Sequence, residues 1–251
     1  MKMIFLVLSV LFSAEAFAQY KDNGYFYRAA AQREEKRWTL QEWLETKDRN
    51  RMMDLWLALY SSPNPYEAML GGAYKSSTTE VDNPTSQNQT TSGDGYVTAH
   101  ASIVGITGEY ENNVQDKYRD INGMLNLRIF GNSLQNTFLT LHYGQRTRTL
   151  EGTATDTDYK NQFGQVSLQL YLMKYFGLDG SYRKYVPATE EKLNQEIWGD
   201  LSEAGVFIDF KAVRVFGSWY RDYQVIKSTT GTFDETDTLR FGTKTGIKIF
   251  F

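Results

Sequence analysis

Apolar and polar residues alternate along most of the chain after residue 66. In Thr238–Phe251, TLRFGTKTGIKIFF, one parity holds Leu239, Phe241, Thr243, Thr245, Ile247, Ile249 and Phe251. The other holds Arg240, Gly242, Lys244, Gly246, Lys248 and Phe250. Successive side chains of a strand point to opposite faces, so this period of two predicts a strand with one apolar and one polar face. The same reading predicts strands at 66–77, 95–104, 105–113, 117–130, 136–149, 160–174, 176–187, 199–211, 213–227 and 238–251. Each is about long enough to cross a bilayer when tilted. The expected fold is all-β: an up-and-down antiparallel barrel over 66–251, crossing a membrane with about ten strands.

Eight strands also satisfy parity, if 95–113 is one strand and 66–77 stands outside the barrel. A short repeat favours ten. Leu70-x-Gly72-x-Tyr74, Ile106-x-Gly108-x-Tyr110, Leu178-x-Gly180-x-Tyr182 and Val215-x-Gly217-x-Trp219 share one pattern. In the ten-strand reading all four lie on ascending strands and face outward. Tight turns are expected near Gly105, Gly131-Asn132-Ser133, Phe176-Gly177 and Lys211-Ala212. Longer polar loops are expected at 78–94, 151–159, 188–198 and 228–237. Short turns on one side and long loops on the other is the asymmetry of an outer-membrane barrel, with the link at 113–117 as the exception.

The chain before residue 66 reads differently. Lys2, the apolar run Ile4–Phe12 and Ala16-Phe17-Ala18 predict a secretory signal peptide over 1–18. The run is far shorter than the ~20 residues of a spanning helix. Residues 19–65 are expected to form a periplasmic helical segment. Met52/Trp56, Met53/Leu57 and Trp56/Tyr60 recur at i,i+4, Thr39 with Glu42 has capping-box spacing, and Ser61-Ser62-Pro63-Asn64-Pro65 ends the pattern. Packing at the barrel mouth, plugging the barrel and docking a partner all suit such a helix.

Composition narrows the chemistry. Net charge is −3 over 251 residues, which offers nucleic acid no basic surface. No cysteine is present, so there is no disulfide, thiol chemistry or lipoprotein anchor. Mean hydropathy is −0.49, which suits a barrel, where only alternate strand residues meet lipid. No cofactor is implied, and two histidines separated in sequence are not a metal cluster.

The terminal strand resembles that of bacterial outer-membrane β-barrel proteins of the small OmpA-like and porin-like kind. The matching residues are Phe251 as terminal aromatic, with Ile249 and Ile247 at alternate positions before it. The resemblance implies recognition of these three residues by the barrel-assembly machinery, a location in the bacterial outer membrane, and contact with its lipid.

Alternation assigns the polar face to the lumen. It collects Glu109, Glu111, Asp120, Arg128, His142, Arg146, Asp179, Arg183, Glu203, Asp209, Arg240, Lys244 and Lys248. Both signs occur in similar numbers. Such groups either pair across a narrow, filled interior or line a thin water-filled channel. A hydrolytic site would draw on His100 with Ser102 and Glu109, or on His142, but all are expected inside the wall, where a peptide does not reach. No H-E-x-x-H, G-x-S-x-G or phosphate loop occurs. The expected function is non-enzymatic, structural or a narrow passive channel. Surface recognition through the polar stretch 76–95 is the alternative, and an outer-membrane hydrolase a more remote one.

Overall fold

In the computed structural model the described residues are 39, 66–81, 86–151, 157–190, 195–228 and 235–251. The signal peptide, the helical segment apart from Thr39, and the tips of four connections lie outside them. Ten strands follow in order: β1 Tyr66–Val81, β2 Ser86–Ala101, β3 Val104–Asn113, β4 Tyr118–Phe130, β5 Phe138–Leu150, β6 Thr157–Tyr171, β7 Phe176–Glu190, β8 Gln195–Phe210, β9 Val213–Ser228 and β10 Glu235–Phe250. Each pairs antiparallel with its sequence neighbours, and β1 with β10 closes the barrel. Closure extends to the last residue, where Phe251 N donates to Ala68 O at 2.8 Å. Of the two strand numbers that parity allows, ten is the one adopted.

The register fixes the shape. Residues paired in succession from Tyr66 are Ala101, Val104, Leu127, Leu141, Val166, Tyr182, Ser202, Arg221, Phe241 and finally Thr78. The path returns to β1 twelve residues above its start. A shear of twelve in ten strands sets a tilt of about 40° and a backbone radius of about 10 Å.

The outward face carries a membrane belt. Leu70, Val97, Ile106, Leu125, Leu127, Leu141, Val166, Leu168, Val206, Ile208 and Ile249 are all exposed. Tyr66, Tyr175, Phe210 and Phe251 ring the lower edge, and Tyr74, Tyr110, Tyr143, Tyr182 and Trp219 the upper. Tyr66 and Tyr74 stand eight residues apart on β1, about 20 Å in height at that tilt. In water this would be a large adhesive surface; in lipid it is the solvated one, with the backbone paired strand to strand around the closed sheet. The four repeats place their Leu, Ile or Val and their aromatic residue outside, on β1, β3, β7 and β9.

The connections differ from the expectation. Two of the stretches read as long polar loops, 78–94 and 188–198, are mostly strand, since β1 reaches Val81, β2 begins at Ser86, β7 reaches Glu190 and β8 begins at Gln195. There both faces are polar, so alternation gives no contrast, yet Thr and Ser still suit a ladder. Ser77 and Thr90 bond at 3.0 Å, and Thr79 and Thr90 at 3.3 Å. Conversely, the turn expected to be tight at Gly131 is the seven-residue connection 131–137, and it folds into the barrel. Gly131 has φ +95°, a left-handed conformation that starts the inward course.

Inside, aromatic rings of one strand lie across glycines of the next. A Cβ added at Gly177 would strike the Phe207 ring, which is buried with Tyr171 and Phe216. Gly177→Val is therefore expected to cost about 1–3 kcal/mol. Gly164 faces outward with nothing near its missing Cβ, so Gly164→Val should stay within about 0.5 kcal/mol. Urea unfolding of the two variants in lipid vesicles tests the contrast.

Candidate functional site

The lumen is filled by three stacked sets of side chains. The lowest is built on the inward connection. Asn132, Ser133, Leu134, Gln135, Asn136 and Thr137 are all buried, Gln135 with no exposed surface. Glu67 of β1 anchors one side: its carboxylate accepts from Ser133 Oγ, from Leu134 N at 3.2 Å and from Arg128 Nη2 at 2.9 Å. Gln135 Nε2 donates to Lys211 O at 2.6 Å on the other side. Gln169 Nε2 donates to Asn136 O at 2.7 Å and to Leu134 O at 3.2 Å. Beneath these, Arg214 donates from Nε to Asp209 Oδ1 at 2.6 Å and from Nη2 to the Tyr171 hydroxyl at 2.6 Å. Its guanidinium lies 3.8 Å from the Phe207 ring centre. Phe250, on the inward parity of β10, is buried here as well.

The middle set surrounds a chamber of about 180 Å³ whose lining includes His100, His142, Tyr96 and Asn126. Glu109 accepts from Arg183 at 2.8 Å and from Asn122 at 3.0 Å. Glu203 accepts from Ser218 at 2.6 Å and pairs with Lys244 at 3.3 Å. Lys248 stands 3.7 Å from Asp179. His142 Nδ1 meets Asn126 Oδ1 at 2.7 Å. His100 has no hydrogen-bond partner on either ring nitrogen, so no Ser102–His100–Glu109 relay exists. Glu109 is committed to Arg183, and Ser102 sits in the left-handed position of the β2–β3 turn, φ 59°.

The upper set is a connected ionic network. Lys75 bridges Asp94 at 3.0 Å and Glu111 at 2.6 Å, and Asp94 reaches Lys244 at 3.3 Å. The Tyr118 hydroxyl donates to Glu111 at 2.7 Å. Arg148 grips Asp120 through two bonds of 2.7 and 2.6 Å and stands 3.7 Å from Asp222. Arg240 joins Asp222 at 3.5 Å to Asp116 of the β3–β4 link at 3.0 Å. Arg146, fully buried, lies 3.6 Å from the Tyr185 ring centre and 3.4 Å from Asn161 Oδ1.

All thirteen charged or imidazole residues named from alternation thus take part in these interior contacts. Glu67, Lys75, Asp94, Arg148, Arg214 and Asp222 join them in the lumen, beyond the residues assigned there from alternation. The signal was present: the outward repeat on β1 forces Glu67 and Lys75 inward, and Arg148 shares the parity of Arg146. Asp116 lies in a link and has no strand parity to reveal it. Among the described residues no three His, Asp or Glu side chains are grouped to hold a metal ion. Cations and carboxylates match closely enough that the lumen offers no strong field to one sign of ion.

No protein-family model matches the chain, and no curated protein matches it in sequence. Solved structures with some likeness include the outer membrane protease OmpT from Escherichia coli, at 12% identity and TM-score 0.39, covering 76% of this chain and 98% of that one. The translocator domain of the autotransporter NalP from Neisseria meningitidis follows at 8% and 0.36, covering 82% and 95%. The attachment invasion locus protein Ail of Yersinia pestis stands at 9% and 0.29, covering 75% and 100%. Likeness at this level carries nothing beyond the barrel form.

Proposed function

We propose that this chain is a bacterial outer-membrane β-barrel protein with a structural, non-conducting and non-enzymatic role. The observation that carries the reading is the filled lumen. Its floor is the inward connection 131–137, and above it Arg148 and Arg240 with Asp120, Asp116 and Asp222 cross the interior. Of the two uses that a charge-balanced interior allows, mutual pairing is favoured over a water-filled path. The belt between two aromatic rings supports lipid as its surroundings. Ile247, Ile249 and Phe251 are the stretch we assign to recognition by the barrel-assembly machinery; Ile249 and Phe251 face outward.

Orientation follows from where polar strand continues past the belt. Above Tyr74 and Trp219, β1 runs on to Val81 and β9 to Ser228, whereas below Tyr66 and Phe210 the strands end at once and, apart from the inward connection 131–137, the turns are short. We place the extended hairpins outside the cell and the inward connection on the periplasmic side. In a planar bilayer the folded protein is expected to give no discrete conductance steps in 1 M salt. Steps of reproducible size from the wild-type protein would overturn the reading.

A further inference from the structure

Above the upper aromatic ring the outer wall of the barrel is not the same all round. On β2 to β6 the outward positions at that height are Thr91, Asn112, Arg119, Thr147 and Lys160, none of them aromatic. On β8 to β10 they are Trp198, Tyr223, Leu239 and Phe241. Register joins these four into one patch. Tyr223 lies opposite Asp200 on β8 and Leu239 on β10, and Phe241 lies opposite Arg221. Trp198 is the next outward residue above Asp200. Their outward course follows from parity, since Ile197, Tyr220, Asp222, Gln224 and Arg240 between them are buried in the lumen.

The height of the patch decides what meets it. Tyr223 stands four residues above Trp219 on β9, about 10 Å at the tilt of these strands. Interfacial aromatic residues sit at the headgroup level, and Trp219 with Tyr182 holds that place on this side of the barrel. A phospholipid headgroup layer is only about 5–8 Å deep. Trp198, Tyr223 and Leu239 therefore rise beyond it, on a wall whose lower half faces acyl chains. A lipid reaches them only through a headgroup several units long.

The chemistry of the patch fits sugar better than phosphate. Arg221 Nη1 is 3.3 Å from Asp200 Oδ2, its guanidinium is 5.5 Å from the Tyr223 ring centre, and the Tyr223 hydroxyl donates to Asp237 at 3.1 Å. With Lys184, opposite Asp200 on β7, two cations face two carboxylates. No surplus of positive charge is left to hold an anion. Arg221 and Asp200 keep side-chain exposures of 42% and 24%, so donors and acceptors stand open to hydroxyl groups. The weakly positive C–H face of a pyranose packs on the negative face of a Trp or Tyr ring.

We propose that the outer wall of β8–β10 holds the oligosaccharide headgroup of a glycolipid in the surrounding leaflet. Trp198 and Tyr223 are the stacking platforms, and Arg221 and Asp200 bond the sugar hydroxyls. The inference goes beyond a structural role, and it rests on the placement of the barrel in the outer membrane with its extended hairpins outside the cell.

The test folds the mature protein in detergent, checks it by heat-modifiable gel mobility, and reads binding by native mass spectrometry. Three probes are compared: lipopolysaccharide with a complete core oligosaccharide but no O-chain, lipid A without the core, and the core oligosaccharide freed of lipid. The wild-type protein is expected to bind the first roughly tenfold more tightly than either of the others, a comparison that needs no variant. Trp198→Ala/Tyr223→Ala is expected to bring core-bearing lipopolysaccharide down to the level of lipid A. Thr147→Ala, at the same height on the far wall, is expected to change nothing. Equal binding of lipid A and core-bearing lipopolysaccharide by the wild type would overturn the proposal and give the patch to a protein partner or to lipid alone. An unchanged preference in the folded double variant would overturn it too. So would free core that binds as tightly as the lipid-linked form, which would make the ligand a soluble glycan. A wild-type chain without heat-modifiable mobility would instead overturn the barrel placement on which the inference rests.

Discussion

Replacing Arg214 with alanine is expected to remove about 3–5 kcal/mol of stability, the cost of breaking a buried, hydrogen-bonded ion pair. Arg214 is 1% exposed and Asp209 2%. The guanidinium gives Asp209 two bonds, at 2.6 and 3.1 Å, and a third hydrogen bond to the Tyr171 hydroxyl. It also bonds Gln169, whose amide in turn holds the carbonyls of Leu134 and Asn136. Truncation leaves the Asp209 carboxylate inside a narrow lumen without its cation, and strips a planar group from between Phe207 and Phe250. Arg221→Ala is the internal comparison. Its pair with Asp200, at 3.3 Å, is partly solvated, with side-chain exposures of 42% and 24%, and surface pairs are worth about 0–1 kcal/mol. Urea unfolding in vesicles should separate the two variants clearly. Arg214→Met combined with Asp209→Leu should recover much of the loss, because apolar groups of similar volume fill the site without a charge to compensate. If Arg214→Ala is no worse than Arg221→Ala, the ion pairs are ornaments on a barrel stabilised by its ladder alone.

The belt and the lumen are legible in the sequence for one reason: in a membrane barrel the period of two carries a large free-energy contrast on every strand that meets lipid. Ile121, Leu125, Leu127 and Ile129 against Asp120, Asn122, Asn126 and Arg128 on β4 is unambiguous, and their exposures divide accordingly. Where the strands leave the belt the contrast disappears. Thr78, Thr79 and Glu80 belong to β1 although nothing in their hydropathy says so. What holds them is pairing with β2 and β10, which are remote or unpatterned in sequence. Pairing partners of single ions were hidden for another reason. Arg128 meets Glu67, and Arg240 meets Asp116, across a lumen whose geometry depends on shear, and shear is a property of the whole closed sheet. The inward course of residues 131–137 has no local signal in the sequence. Gly131-Asn132-Ser133 has the composition of a tight turn. Its inward fold depends on acceptors and donors contributed by Glu67, Gln169 and Lys211 from three other places in the chain.

That connection is also where the second large effect is expected. Replacing residues 132–136 with Gly-Ser should leave the barrel intact, because no strand pairing involves them and their ties to the wall are side-chain bonds. It should nevertheless open the chamber from below. The chain has no native cysteine, so a single thiol reports access. Thr140 lines the chamber and is 3% exposed. In Thr140→Cys a charged, membrane-impermeant thiol reagent should react only as often as the floor opens spontaneously. In the shortened variant the rate should rise roughly a hundredfold, as a local opening free energy of a few kcal/mol is removed. Conductance should stay silent in both proteins, because Arg148 and Arg240 with their carboxylates still cross the upper lumen. The pairing of the two results is what discriminates. Faster labelling without conductance means that the floor and the ionic network close the lumen independently. Labelling that stays slow in the shortened barrel, with heat-modifiable mobility retained, would mean that residues 132–136 are not the floor. Conductance steps in the shortened barrel would mean that the upper network passes ions and that the connection alone had sealed a pore.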